Sequence, residues 1–408
     1  MAGKAIVVGG SMGGLFAANL LLRAGWDVQV YERVAGGLSD RGAGIVTHGE
    51  LFDALAAAGV ETGGTLGVKV PSRVTYDPQG KIVGEQPYEQ ILTAWSRLFQ
   101  GLRQALPEDR YHQGKALAGL RQDGHGVTAV FADGTQAAGD ILVGADGIRS
   151  TVRGLCMPES VPRYAGYVAW RGLVEESDLS PRARAALMER FAFCLPPNQQ
   201  MIAYPVAGQG NAMQPGRRRL NFVWYRPADG NGELQRLQTD AQGVCHEQGI
   251  APQLIRPEVL DEVRRAAQET LPPDFAEAIR KTGLLFFQPI YDLASDHMVA
   301  GRVALLGDAA FVARPHTGMG VTKAAYDALA LAEALRSEGG LARALASYDE
   351  QRVRFGIAIV RHSRHMGAYM QARLDSPQER EMARKYRDPV PVMRETAVSL
   401  RYLDLGLD

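Results

Sequence analysis

The residues that could do chemistry gather in three short stretches. In GDAAFVARPHTGMG, Gly307 to Gly320, an apolar run ends on Asp308, crosses Arg314-Pro315-His316, and enters a helical pattern through Gly318-Met319-Gly320. The ring of Pro315 fixes its φ and makes a rigid corner. An imidazole such as His316 has an ordinary pKa of about 6.5 and can relay a proton near neutral pH. Backbone N–H groups at a helix start, here Gly318, Met319 and Gly320, favour negative charge. In IVVGGSMGGLFAANLLL the pattern is Gly9-x-Ser11-x-x-Gly14, with Gly13 beside the last glycine. The third stretch, GADGIRS, follows Ile141-Leu142-Val143 and carries Asp146.

The elements around the first glycine turn give it meaning. An apolar strand from Lys4 leads into the turn, a helical pattern runs from Leu15 to about Ala24, and a second strand ends on Glu32. This strand–helix–strand unit, with an acid about twenty residues after the glycines, has dinucleotide-binding spacing. The glycines let the backbone approach a pyrophosphate, and Glu32, with Arg33 next to it, can meet ribose hydroxyls. Ser11 stands where the middle glycine is usual and tightens the fit. Arg41, in LSDRGAGI, is a candidate phosphate contact. Two glycine-rich strand ends so far apart in sequence suggest one extended ligand held by both.

Bulk properties narrow the class. A chain of 408 residues is long enough for two or three cores. Lys+Arg and Asp+Glu both number 45, so no basic excess is available for a nucleic-acid or anionic-membrane partner. Three scattered cysteines without CxxC spacing argue against a disulfide framework or a metal site. No apolar run reaches the roughly 20 residues of a membrane span, and no signal-peptide pattern opens the chain. We expect a soluble, cytoplasmic protein.

From Tyr164 to about Tyr225 the composition turns β-rich: YAGYVAWRGLV, FAFCLP, QMIAYPVAG and RLNFVWYRP. Any of its aromatics (Tyr167, Trp170, Tyr204, Phe222, Trp224, Tyr225) can line a pocket, though core packing suits most. Tyr204 is the candidate pocket residue. His48, after Gly42-x-Gly44, is a second histidine placed near the ligand. His362 and His365 lack a carboxylate partner pattern and read as a solvated helix face. Helical patterns cover residues 250 to 282 and run from Gly320 to Leu374; residues 375–408 have no assigned role.

Together the three motifs, in this order and spacing, resemble the FAD-dependent aromatic hydroxylases, single-component flavoprotein monooxygenases of the para-hydroxybenzoate hydroxylase kind. The resemblance spans residues 1 to about 375. YAGYVAWRGLV, IAYP and RPH are most similar to its 2,6-dihydroxypyridine 3-monooxygenase branch. It implies an α/β fold: a Rossmann-like FAD-binding domain from residues 1–72, 92–160 and 283–340, a β-rich substrate domain from 73–91 and 161–282, and a C-terminal helical segment from 341–408. It implies that Gly9, Ser11, Gly13, Gly14, Glu32, Arg33 and Arg41 hold the adenosine half of FAD. Asp308 holds the ribityl chain or pyrophosphate, Asp146 is a pyrophosphate contact, and Pro315 and Gly318 to Gly320 face the flavin. It implies NADH or NADPH and O2 as co-substrates, a flavin hydroperoxide as oxidant, and an electron-rich, hydroxylated, small aromatic or N-heteroaromatic ring as substrate. His316, His48 and Tyr204 are the candidate catalytic residues. A homodimer is compatible with this family. Departures are Phe311 for the usual His, Met319 for the usual Gln, and Trp95 for the usual Arg. An FAD-dependent reductase or oxidase without oxygen insertion, or a non-catalytic flavin-binding protein, is the alternative.

Overall fold

A computed structural model of the chain describes residues 3–38, 44–61, 66–403 and 405–406. Its first sheet has six strands in the order Val299–Ala300, Val303–Leu305, Ile141–Gly144, Lys4–Val8, Asp27–Tyr31, Tyr111–His112, parallel except at the Val299 edge. Its middle strands are buried on both faces, as a parallel sheet covered by helices requires. The helix Met12–Arg23 packs on one of those faces and is joined to the helix Trp95–Ala105 by the Asn19 amide, which donates to the Leu102 carbonyl. Gly25, at φ +88°, lets the chain turn back into Asp27–Tyr31.

The second sheet has nine strands and is mostly antiparallel. Its order is Phe311–Val312, Phe286–Ala294, Arg163–Glu175, Arg219–Pro227, Gln200–Val206, Phe191–Cys194, Val68–Tyr76, Ile82–Ala94, Gly44–Val46. The period-two alternation of its strands separates two cores. Val168, Trp170, Phe222 and Trp224 pack on one side with the helices Pro257–Thr270 and Pro273–Lys281. Tyr167, Ala169, Ile202, Tyr204, Val223 and Tyr225 face the other. The aromatics are thus divided by the pleat, and Trp170, Phe222 and Trp224 take the core-packing role expected of most of them. Val68–Tyr76 and Ile82–Ala94 run unbroken through residues 72 and 92, so the expected domain edges fall inside strands.

Two long helices close the molecule, Gly320–Ser337 and Leu341–Gly367. Short helices Pro377–Lys385, opened by a Ser376/Glu379 capping box, and Pro389–Glu395 follow. This last segment returns to the middle of the fold. The Arg73 guanidinium, fully buried, donates to the carbonyls of Met393, Thr396 and Ala397 and to Gln90 Oε1. His362, expected on a solvated face, is instead packed against this segment, 4.0 Å from Glu395. No helix of the described residues is long and apolar enough to cross a membrane.

Candidate active site

The C-terminal ends of the parallel strands open onto one groove. A cavity of about 530 Å³ is lined at one end by Ser11, Gly13, Ala145, Gly147, Gly307, Asp308, Gly318 and Gly320. A second, of about 320 Å³, shares Ser11, Trp95, Ala145 and Gly147 with it and continues to Gly9, Glu32, Arg33 and Asp146. Ligands of open α/β sheets bind in such a crevice.

The glycines here are demanded by close approach. Gly9, at φ +106°, has the Ala145 carbonyl 2.4 Å from where a Cβ would stand, and a Cβ on Gly14 would lie 1.8 Å from the Gly9 oxygen. The turn therefore admits no side chain at either position. Ser11 tops the helix Met12–Arg23 with its hydroxyl uncommitted to capping. Glu32 is buried and accepts one N–H at each oxygen, from Gly10 at 2.8 Å and Val34 at 2.9 Å, which aims its remaining lone pairs along the groove. Arg41 lies outside the described residues.

Asp308 is held by a device that sequence reading missed. Asp327, buried on the helix Gly320–Ser337, accepts from the Gly307 N–H at 2.9 Å and pairs with Arg352 at 2.7 Å. That fixes the turn and leaves the Asp308 carboxylate open to the cavity, without a hydrogen-bond partner among the described residues. Its carboxylate is accessible from the cavity yet ringed by protein, and that enclosure raises its pKa, opposed by Lys323 and reinforced by Asp327. An acid so placed suits a hydroxyl-bearing ligand better than a bare anion. Asp146 is committed differently: its carboxylate accepts from the Ser150 hydroxyl and the Thr151 and Val152 N–H groups, capping the helix Thr151–Cys156. Arg153 then ties this loop to the Asp308 loop, donating to the carbonyls of Ile148 and Ala309. The residues present fit an extended dinucleotide: close-packed glycines, a helix start, a ribose-facing acid and a free acid in line.

The far end of the larger cavity is built on the second sheet, from Arg171, Phe191, Ile202, Tyr204, Val223, Tyr225, Gln288 and Ile290. His316 closes it. Its ring is 1% exposed, its Nε2 lies 2.7 Å from the Tyr167 hydroxyl, and its Nδ1 has no partner. The expectation of an imidazole titrating near neutral pH gives way here. Burial, reinforced by Arg314, pulls the His316 pKa down to about 3, so the ring is neutral. Arg314 is itself paired with Asp292 at 2.8 Å, and its guanidinium lies 5.7 Å from the centre of the Tyr167 ring.

The other candidates separate. Tyr204 lines the cavity, stacked on Phe191 with centroids 5.0 Å apart, and burial raises its pKa. His48 does not line it: Nδ1 meets Thr322 Oγ1 at 3.2 Å behind the helix start, and burial lowers its pKa to about 4. Pro315, Gly318 and Gly320 line the cavity, while the Met319 side chain turns away to pack with Phe355 and Ile359. Trp95, in place of the usual Arg, lines both cavities. Sequence reading did not single out Arg171, Gln288, or Thr396 and Ala397 of the C-terminal segment, all of which line the larger cavity. Alternation could have marked Arg171, a cation in step with Tyr167 and Ala169; nothing local marks Thr396 or Ala397.

Known proteins share this arrangement. A family described as FAD binding domain-like matches residues 164–292. The chain is 35% identical to 2,6-dihydroxypyridine 3-monooxygenase of Paenarthrobacter nicotinovorans, over 90% of this chain and 91% of that one. It is 32% identical to 3-amino-4-hydroxybenzoate 2-monooxygenase of Streptomyces cremeus, over 88% and 86%. The solved 2,6-dihydroxypyridine-3-hydroxylase of Arthrobacter nicotinovorans superposes with a TM-score of 0.85 at 33% identity, covering 92% of this chain and 95% of that one.

Proposed function

The chain belongs to the FAD-dependent aromatic hydroxylases, and from that premise we propose that its substrate is a hydroxylated N-heteroaromatic ring of the dihydroxypyridine kind, with NADH or NADPH as hydride donor. It is a monooxygenase that binds FAD and hydroxylates an electron-rich ring. When bound, FAD accepts the hydride and activates O2, chemistry that belongs to the cofactor. In this reading Gly9, Ser11, Gly13, Gly14 and Glu32 hold its adenosine half, Asp308 its sugar-alcohol chain, and Gly318 to Gly320 the ring end.

The rest is the work of the chain's own side chains. Phe191, Ile202, Val223 and Ile290 give the ring a flat apolar seat and keep water from it. Thr396 and Ala397 complete the wall, and the Ala397 N–H donates to the His316 carbonyl at 3.0 Å. Tyr167 holds the neutral His316 ring in place through Nε2 at 2.7 Å, and the ring so held forms part of the wall that orients the substrate. The observation that carries this reading is the make-up of that wall: apolar side chains with Arg171, Tyr204, Tyr225 and Gln288 spaced among them to meet the oxygens of a hydroxylated ring.

The test is turnover of NAD(P)H by the FAD-loaded protein with hydroxypyridines and with hydroxybenzoates, under labelled oxygen gas. Label in a hydroxylated pyridine is the expected result. Oxidation of NAD(P)H with every oxygen recovered as peroxide favours the reductase or oxidase reading. Label only in hydroxybenzoates overturns the heteroaromatic assignment.

A further inference from the structure

We infer that Arg171 selects the charge of the substrate: the ring is bound as an anion, and the guanidinium meets its anionic oxygen, borne by a ring carboxylate or a deprotonated ring hydroxyl. This rests on the hydroxylase reading above.

The first ground is placement. Arg171 lies in the strand Arg163–Glu175 between Val223 and Phe286 on the neighbouring strands, and lines the substrate end of the cavity. A cation in a predominantly apolar wall is costly unless something opposes its charge. The buried arginines have that opposition or a full set of acceptors, whereas Arg171 is half-buried at the cavity. Arg314 pairs with Asp292, Arg352 with Asp327 and Arg218 with Glu176, while Arg73 donates to four oxygens. Arg171 has no carboxylate partner among the described residues. Its polar neighbours are the Tyr225 and Tyr204 hydroxyls, and its Nε is buried without an acceptor.

The second ground is what faces it. Burial raises the pKa of both phenols, so they stay neutral and oppose no charge. The cavity's one carboxylate among the described residues, Asp308, lies on the cofactor side and interacts with Lys323 and Asp327. His316 is neutral as well and cannot supply a balancing cation. An electron-rich ring reacts better once its hydroxyl is ionised, and Arg171 is the cation in this wall that can stabilise that ionised form. A charge-assisted hydrogen bond of this kind corresponds to about tenfold to a hundredfold in affinity.

The test uses the FAD-loaded protein and reads ligand binding from the perturbed flavin absorbance, beside turnover. The probes are 2,6-dihydroxypyridine, 6-hydroxynicotinate and the neutral 2,6-dimethoxypyridine. Arg171→Gln is expected to keep its FAD, to bind the two ionisable probes about tenfold or more weakly, and to bind the neutral one as the parent does. Arg171→Lys is expected to regain much of the loss. Affinity for 2,6-dihydroxypyridine that tracks ionisation of its hydroxyl assigns the oxyanion, and a pH-independent preference for 6-hydroxynicotinate assigns the carboxylate. If Arg171→Gln retains FAD and binds all three probes as the parent does, or loses all three equally, the inference is overturned while the hydroxylase reading stands. A parent that binds and hydroxylates none of these rings overturns both.

Discussion

The Tyr167 hydroxyl lies 2.7 Å from His316 Nε2, and the two aromatic rings are tilted by 31° with centroids 5.8 Å apart. Neither residue reaches solvent, so the contact fixes the orientation of the imidazole behind the cavity wall.

Tyr167→Phe removes that control while keeping the ring. The variant should keep FAD and still oxidise NAD(P)H, but yield less hydroxylated product per NAD(P)H. His316→Ala should be worse, by up to about a hundredfold in product per NAD(P)H, because it takes the imidazole itself out of the wall that orients the ring. Product per NAD(P)H, followed across pH, decides it. Parent-like coupling and an unchanged pH profile in both variants remove His316 from the chemistry.

Asp308→Ala should lower FAD occupancy, because the carboxylate that Asp327 and Gly307 hold open has no other described partner. Flavin released per mole of purified protein is the measurement. Full occupancy after the change would show that Asp308 is not a cofactor contact.

Gly14→Ala tests the turn itself. A Cβ there would stand 1.8 Å from the Gly9 oxygen, a contact no side-chain rotation relieves. The strand and helix must separate, and we expect loss of FAD binding together with a lower melting temperature. A variant matching the parent in both would contradict the close packing described here.

What could be read from the sequence follows the range of the interactions. The glycine turn, Glu32 and the helix entry after Pro315 are set by backbone geometry within a few residues, so spacing revealed them. Tyr204 was legible because strand alternation puts it on one face; the same rule, applied to Arg171, had the information to expose a cation on that face. Asp327 and Arg73 were invisible for another reason. Asp327 acts on Gly307, and Arg73 on residues 393–397, across separations that only the folded chain closes. The His316 pKa was misjudged because burial and Arg314 are properties of the packed site, not of the motif.

Arg73→Met probes the C-terminal wall. It leaves the Met393 and Thr396 carbonyls without the Arg73 donor, at a cost of roughly 1–3 kcal/mol per stranded group, while the Ala397 carbonyl keeps the Gln90 amide. Amide exchange across residues 388–399 should quicken and peroxide leakage rise, while FAD stays bound. Unchanged exchange there would mean that other contacts hold the wall.

Lowering the pH should weaken the fold through its buried histidines. His316, His48 and His362 have pKa values of about 3, about 4 and about 4 in the folded chain, all depressed chiefly by burial. In the unfolded chain each returns to about 6.5 and takes up a proton as the pH falls through that value, while the folded chain does not. The unfolded state therefore binds more protons, and stability is lost between about pH 6.5 and 4. At pH 5 the gap amounts to about 2 kcal/mol for each of the two most buried, His316 and His48. Asp146 and Asp308, whose pKa values are raised, act with the opposite sign, from nearer the ordinary carboxylate range upward. Urea midpoints with saturating FAD should thus fall from pH 7.5 to pH 5, and His48→Asn should flatten that fall. Equal midpoints at the two pH values would show that these imidazoles are not held neutral.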